Sequence, residues 1–79
     1  MRFTIYSKPG CPYCDKVKKV LDLTNMTYVE YTLGENFFKE EFYSEFGENS
    51  TFPQVICDEQ KIGGCVDTIN FLKEKQILK

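Results

Sequence analysis

Apolar residues recur along this chain with two different periods, and each change of period marks a predicted element. Arg2 to Tyr6 is short, β-rich and alternating, which predicts a strand; Ser7-Lys8-Pro9-Gly10 follows as a turn. From Pro12 to about Asn25 the period lengthens. Cys14, Val17 and Leu21 share one helical face, with Val20 and Thr24 beside them, while Asp15, Lys16, Lys18, Lys19 and Asp22 hold the rest. Pro12 suits the first helical turn, where its missing N–H costs nothing. Thr27 to Leu33 reads as a second strand, carried by Tyr28, Val29, Tyr31 and Thr32. Glu35 to Phe46 reads as a second helix, with Phe38, Phe42 and Phe46 at every fourth position and Phe37 and Tyr43 widening the stripe. Gly47 can stop it. Gln54 to Cys57 is a short apolar strand, turned by Asp58-Glu59-Gln60 into a brief strand at Lys61-Ile62 that Gly63-Gly64 ends. Cys65 to about Lys75 is a last helix, with Val66, Ile69 and Leu72 on its packed face.

The order is βαβ followed by ββα. The first half predicts parallel strands joined by a right-handed crossover, and the second adds an antiparallel hairpin and a covering helix. This is an α/β architecture: a four-stranded mixed sheet flanked by three helices. A chain of 79 residues has room for a single domain, residues 1–79. So short a chain needs a compact core of large side chains, which 7 Phe and 5 Tyr supply. Charged residues of both signs and a net charge of −2 fit a folded domain and exclude a disordered segment. No basic run points to nucleic acid, and no segment is long and apolar enough to span a bilayer. The start, Met1 to Tyr6, is too short and polar for a secretory signal, so a cytoplasmic protein is expected, in a compartment where thiols stay reduced.

Four cysteines, Cys11, Cys14, Cys57 and Cys65, need a chemical reading. In a reducing compartment the pair Cys11-Pro12-Tyr13-Cys14 reads as catalytic or metal-binding. Cys11 falls where the first strand hands over to the first helix. There the free N–H groups and the positive end of the helix dipole stabilise an anion, and it is the thiolate that attacks disulfides. Cys11 is therefore expected to be acidic and exposed, and Cys14, one turn on, to be buried and less acidic. Those environments assign roles: Cys11 attacks and Cys14 resolves the mixed disulfide. Lys8 can add positive charge beside Cys11, or be a solvated lysine. Zinc is the alternative for the pair, but it needs four ligands; the chain has no His, and only Cys57 and Cys65 could complete the set. Cys57 falls in a predicted core strand, where cysteine behaves as a small hydrophobe. Cys65 is either a packed residue or a second oxidisable thiol.

Three segments together resemble the glutaredoxin family over nearly the whole chain. Ile5-Tyr6-Ser7-Lys8 leading into Cys11-Pro12-Tyr13-Cys14 resembles its dithiol active site, Thr51-Phe52-Pro53-Gln54-Val55 its cis-proline loop, and Ile62-Gly63-Gly64-Cys65-Val66-Asp67 its glycine-pair motif. The resemblance implies a minimal thioredoxin fold and a glutathione-dependent oxidoreductase acting on protein disulfides and glutathione mixed disulfides. Glutathione would be a reducing co-substrate, with no cofactor or metal bound permanently. Tyr13 and Lys8 would flank the bound tripeptide, and the backbone at Phe52, before a cis Pro53, would pair with its cysteinyl unit. Val66, through its N–H, and Asp67 would hold the γ-glutamyl end. Partners would be glutathione and disulfide-containing or glutathionylated proteins, ribonucleotide reductase being a client within the family, and the protein would act as a monomer. Phe52 departs from the small residue or valine that members often carry, and its larger ring would narrow the groove. Pro53 could instead be a trans proline opening an edge strand, and Asp67 only a helix-start residue. Two other readings remain: an electron donor reduced by a thioredoxin reductase, and an iron–sulfur carrier, which Pro12 disfavours.

Overall fold

Alternation along the first strand sorts its side chains onto two faces, and both become covered. In a computed structural model, which describes residues 1–78, β1 (Phe3–Ser7) buries Phe3, Ile5 and Ser7 on one face and turns Thr4 and Tyr6 to the other. The chain continues as α1 (Pro12–Leu23), β2 (Tyr28–Thr32), α2 (Lys39–Phe46), β3 (Gln54–Cys57), β4 (Gln60–Gly63) and α3 (Cys65–Glu74). The four strands lie in the order β2-β1-β3-β4. β1 and β2 are parallel, whereas β1–β3 and β3–β4 are antiparallel, so the sheet is mixed as expected. The hairpin between β3 and β4 turns on Asp58 and Glu59, both with positive φ, the geometry that matches the twist of paired strands.

One face of the sheet carries the main core. Phe3, Ile5, Val55 and Cys57 from the strands meet Val17 and Leu21 of α1 and Cys65 and Leu72 of α3. The other face carries an aromatic layer. Tyr6 packs edge-on against Phe37 and Phe46, and Phe42 lies between Phe46 and Phe52.

Two expectations change here. The second helix begins at Lys39, not Glu35. Residues 33–37 form a turn instead: Gly34 has φ +89°, its N–H donates to the Phe37 carbonyl at 2.8 Å, and Asn36 Oδ1 accepts from the Thr32 N–H at 2.9 Å. That turn buries Phe37 and leaves Phe38, a predicted stripe residue, at the helix N-cap and 63% exposed. The last helix packs through Cys65, Thr68 and Leu72. Val66, expected on that face, is 67% exposed, because one step of about 100° from Cys65 carries it out of the stripe. Elsewhere the ends shift by a residue or two: α1 stops at Leu23, Thr24 caps it and Asn25 turns with φ 59°.

A polar network ties three elements together where β1 ends. The buried Ser7 hydroxyl donates to Glu30 Oε2 of β2 at 2.7 Å, and Lys18 Nζ of α1 lies 3.0 Å from the same oxygen. The Ser7 hydrogen bond, then the Lys18 ammonium, holds the Glu30 carboxyl below its ordinary range. A depressed carboxyl contributes stability above its unfolded pKa and loses it as pH falls through the folded one. Glu30→Gln is therefore expected to cost about 1 kcal/mol at pH 7. The gap from wild type should narrow as pH falls below about 4.3. Urea midpoints at pH 7 and pH 3 measure both; an equal gap at the two values would contradict the assignment.

Candidate active site

The start of α1 is built around a sulfur. Gly10, at φ +69°, turns the chain out of β1. Cys11 then takes extended dihedrals as the N-cap residue, and Pro12 opens the helix. At most N-caps a hydroxyl or carboxylate accepts from the free amides of the first turn. Here Cys11 Sγ accepts from the Cys14 N–H at 3.2 Å, and the Cys11 carbonyl from the Asp15 N–H at 3.2 Å. Cys11 and Cys14 form a disulfide, with Cα atoms 5.2 Å apart. Cys14 is buried as expected, at 1% exposure, but Cys11 is also buried, at 6%. The expectation of an exposed Cys11 is corrected for this oxidised form, in which its sulfur is bonded to Cys14 and accepts from the first helical turn.

Strand register brings the other two motifs to this end of the sheet. Tyr6 pairs with Gln54, so the chain leaving β1 and the chain entering β3 lie side by side. Val55 pairs with Gly63, which puts the end of β4 and the start of α3 beside them. The Phe52–Pro53 bond is cis and Pro53 is buried. A Cβ on Gly64 would lie 3.6 Å from the Pro53 carbonyl oxygen, so the glycine pair and the proline loop are in close approach.

The remaining candidates surround this centre. Tyr13 is 61% exposed, and Val66 and Asp67 stand exposed on the first turn of α3. The Asp67 carboxylate accepts from the Gly64 N–H at 3.4 Å, the helix-start contact that the sequence allowed. The Phe52 ring packs toward α2. It stacks on Phe42 with centroids 4.2 Å apart and planes 12° apart, and Lys8 Nζ lies 5.5 Å from its centroid. Beside it opens a cleft of about 480 Å³ whose walls include Lys8, Pro9, Lys39, Tyr43, Thr51 and Phe52. Lys39 was missed from the sequence; its one signal is to be the only cation among the acids from Glu35 to Glu48. Cys57 and Cys65 are free and buried, and burial, with Asp58 alongside, pushes the Cys57 thiol up.

This arrangement can cycle between a dithiol and a disulfide. The sequence model of the Glutaredoxin family matches residues 3–62, more than half of the chain. The chain belongs to the glutaredoxin family. It is a thiol–disulfide oxidoreductase of the thioredoxin fold. It is 39% identical over 77 residues to glutaredoxin 1 of Rickettsia prowazekii, spanning 95% of this chain and 81% of that protein. Glutaredoxin 1 of Francisella tularensis, solved with cacodylate, superposes with a TM-score of 0.79 at 26% identity, over 96% of this chain and 95% of that one. A buckwheat glutaredoxin solved as a glutathione complex shares the fold, with a TM-score of 0.79 at 24% identity, over 95% of this chain and 71% of that one.

Gly63 is constrained twice by this glutaredoxin site. Its φ is +120°, and an added Cβ would run into the Asp67 carboxylate. Gly63→Ala is expected to cost about 1–3 kcal/mol of stability. Adding Asp67→Ala should recover part of that loss by removing the clash. Urea unfolding of the single and double variants checks this; no recovery would mean that backbone strain alone is responsible.

Proposed function

We propose that this glutaredoxin is glutathione-dependent and reduces protein disulfides and glutathione mixed disulfides through Cys11 and Cys14. The observation that carries the reading is the Cys11–Cys14 disulfide capping α1 beside the proline loop and the glycine pair. In the reduced protein the Cys14 N–H and the dipole of α1 stabilise negative charge on Cys11 sulfur. The Cys11 thiolate attacks a substrate disulfide; one substrate sulfur leaves as thiolate and takes a proton, and a mixed disulfide remains on Cys11. With a protein disulfide, Cys14 attacks Cys11 sulfur, releases the second substrate thiol and closes the disulfide seen here. Two glutathiones then restore the dithiol and leave as glutathione disulfide. With a glutathionylated protein, the protein thiol leaves first and one further glutathione clears Cys11.

For binding, the backbone at Phe52, before the cis Pro53, pairs with the cysteinyl unit. Lys8 and Tyr13 flank the tripeptide, Val66 N–H receives the γ-glutamyl carboxylate at the helix start, and Asp67 meets the ammonium. The glutathione complex of the buckwheat protein with this fold supports that ligand. Residues 1–79 act as one domain, as a monomer, with clients such as ribonucleotide reductase. A reducing compartment such as the cytoplasm suits a disulfide that must be re-reduced each cycle. Among the described residues, no helix is long and apolar enough to cross a membrane.

Cys11→Ser is expected to abolish turnover of a glutathionylated peptide with glutathione and glutathione reductase, whereas Cys14→Ser should retain it, because free glutathione replaces the resolving thiol. Equal loss in both variants would favour the thioredoxin-reductase-coupled route. Asp67→Asn should raise KM for the same peptide about two- to fivefold, the size of an exposed charge pair. Its melting temperature should barely change, since Asn serves a helix start nearly as well. An unchanged KM would leave Asp67 as a helix-start residue only.

A further inference from the structure

We infer that the Phe52 ring is a positioning residue that acts through Lys8, tying the cation at the active-site loop to α2. The ring packs toward α2, and Phe52 also borders the cleft that Lys8 lines. Stacking on Phe42, itself 1% exposed in α2, sets the plane of the ring, and Phe37 lies near-parallel with its centroid 6.2 Å away. Lys8 Nζ lies over that ring, 5.5 Å from its centroid. This is within the distance at which a ring face attracts an ammonium. Lys8 takes no part in the ion pairs of the described residues, which use Lys18 and Lys61. It is exposed, three residues before Cys11, and carries a long, rotamer-rich stem. The ring therefore narrows where the cation sits, between the cis-proline loop and the turn that delivers Cys11. A valine here would offer neither a stacking surface for Phe42 nor a π-face for Lys8. The larger side chain at this position thus couples α2 to the electrostatics of the site without itself touching the reacting sulfur.

The inference rests on Lys8 serving the site proposed above, but it can be read without glutathione. The reduced protein is alkylated at Cys11 with iodoacetate, an anion, and separately with neutral iodoacetamide. The ratio of the two rates reports a cation near the sulfur, while a general change in thiol reactivity cancels. Phe52→Leu is expected to lower the ratio about two- to fivefold, the fold-change that corresponds to a cation–π contact at an exposed site. Lys8→Gln should lower it at least as much. Adding Phe52→Leu to Lys8→Gln should lower it no further, and Phe52→Tyr, which keeps the π-face, should stay near wild type. Additive effects, a Tyr variant that behaves like Leu, or no response to Lys8→Gln would each overturn the coupling. A measurement on the unaltered protein guards against misfolded variants: the Lys8 ε-methylene protons should show an upfield ring-current shift by NMR, and random-coil values would also overturn it. Failure of glutathione turnover with these ratios intact would count against the proposed function and not against the coupling.

Discussion

A helix that begins against a packed sheet presents N–H groups that have no carbonyl to bond, and they must find an acceptor. In this chain sulfur takes that place. Cys11 Sγ accepts from the Cys14 N–H, and Pro12 removes one donor from the same turn. The arrangement that satisfies the helix start is also the one that favours negative charge on the sulfur once the disulfide opens. Local folding and redox chemistry therefore share one contact. A different N-cap side chain would satisfy the amides equally well, but it would leave the site without a nucleophile.

Around that contact the sheet acts as a jig. The pairing of Tyr6 with Gln54 and of Val55 with Gly63 brings three loops distant in sequence to one end of the strands. The ends of these loops are held by different means. Ser7, Glu30 and Lys18 anchor the exit of β1 through a partly buried polar network. Aromatic stacking from Phe42 holds the proline loop, and Asp67 folds back on the start of α3.

The two sheet faces divide the work. The face covered by α1 and α3 is aliphatic and closed, and it absorbs Cys57 and Cys65 as small packed groups. The face under α2 is aromatic, and its stacked rings reach as far as Phe52 at the rim of the site. Aromatic rings keep a preferred mutual orientation as well as burying area, so this layer can transmit a fixed geometry to a loop.

The sequence by itself determined which elements exist, their order and the chemistry they carry. A period of two or of 3.6 is a property of neighbouring residues, and so are the Cys-Pro-Tyr-Cys spacing and the paired glycines; these set the strands, the helices and the candidate redox pair. What only the tertiary structure decided depends on contacts between distant residues. Phe38 fits the stripe of α2 by spacing, yet the turn closed by Asn36 and Gly34 buries Phe37 in its place. Val66 is apolar, but α3 docks through Cys65, Thr68 and Leu72 and leaves it in solvent. Cys11 is buried where its place at the helix start predicts exposure, and the Phe52 ring stacks on Phe42 across a loop. Local pattern specifies which side of an element is apolar. Only the assembled sheet and helices specify what that side meets.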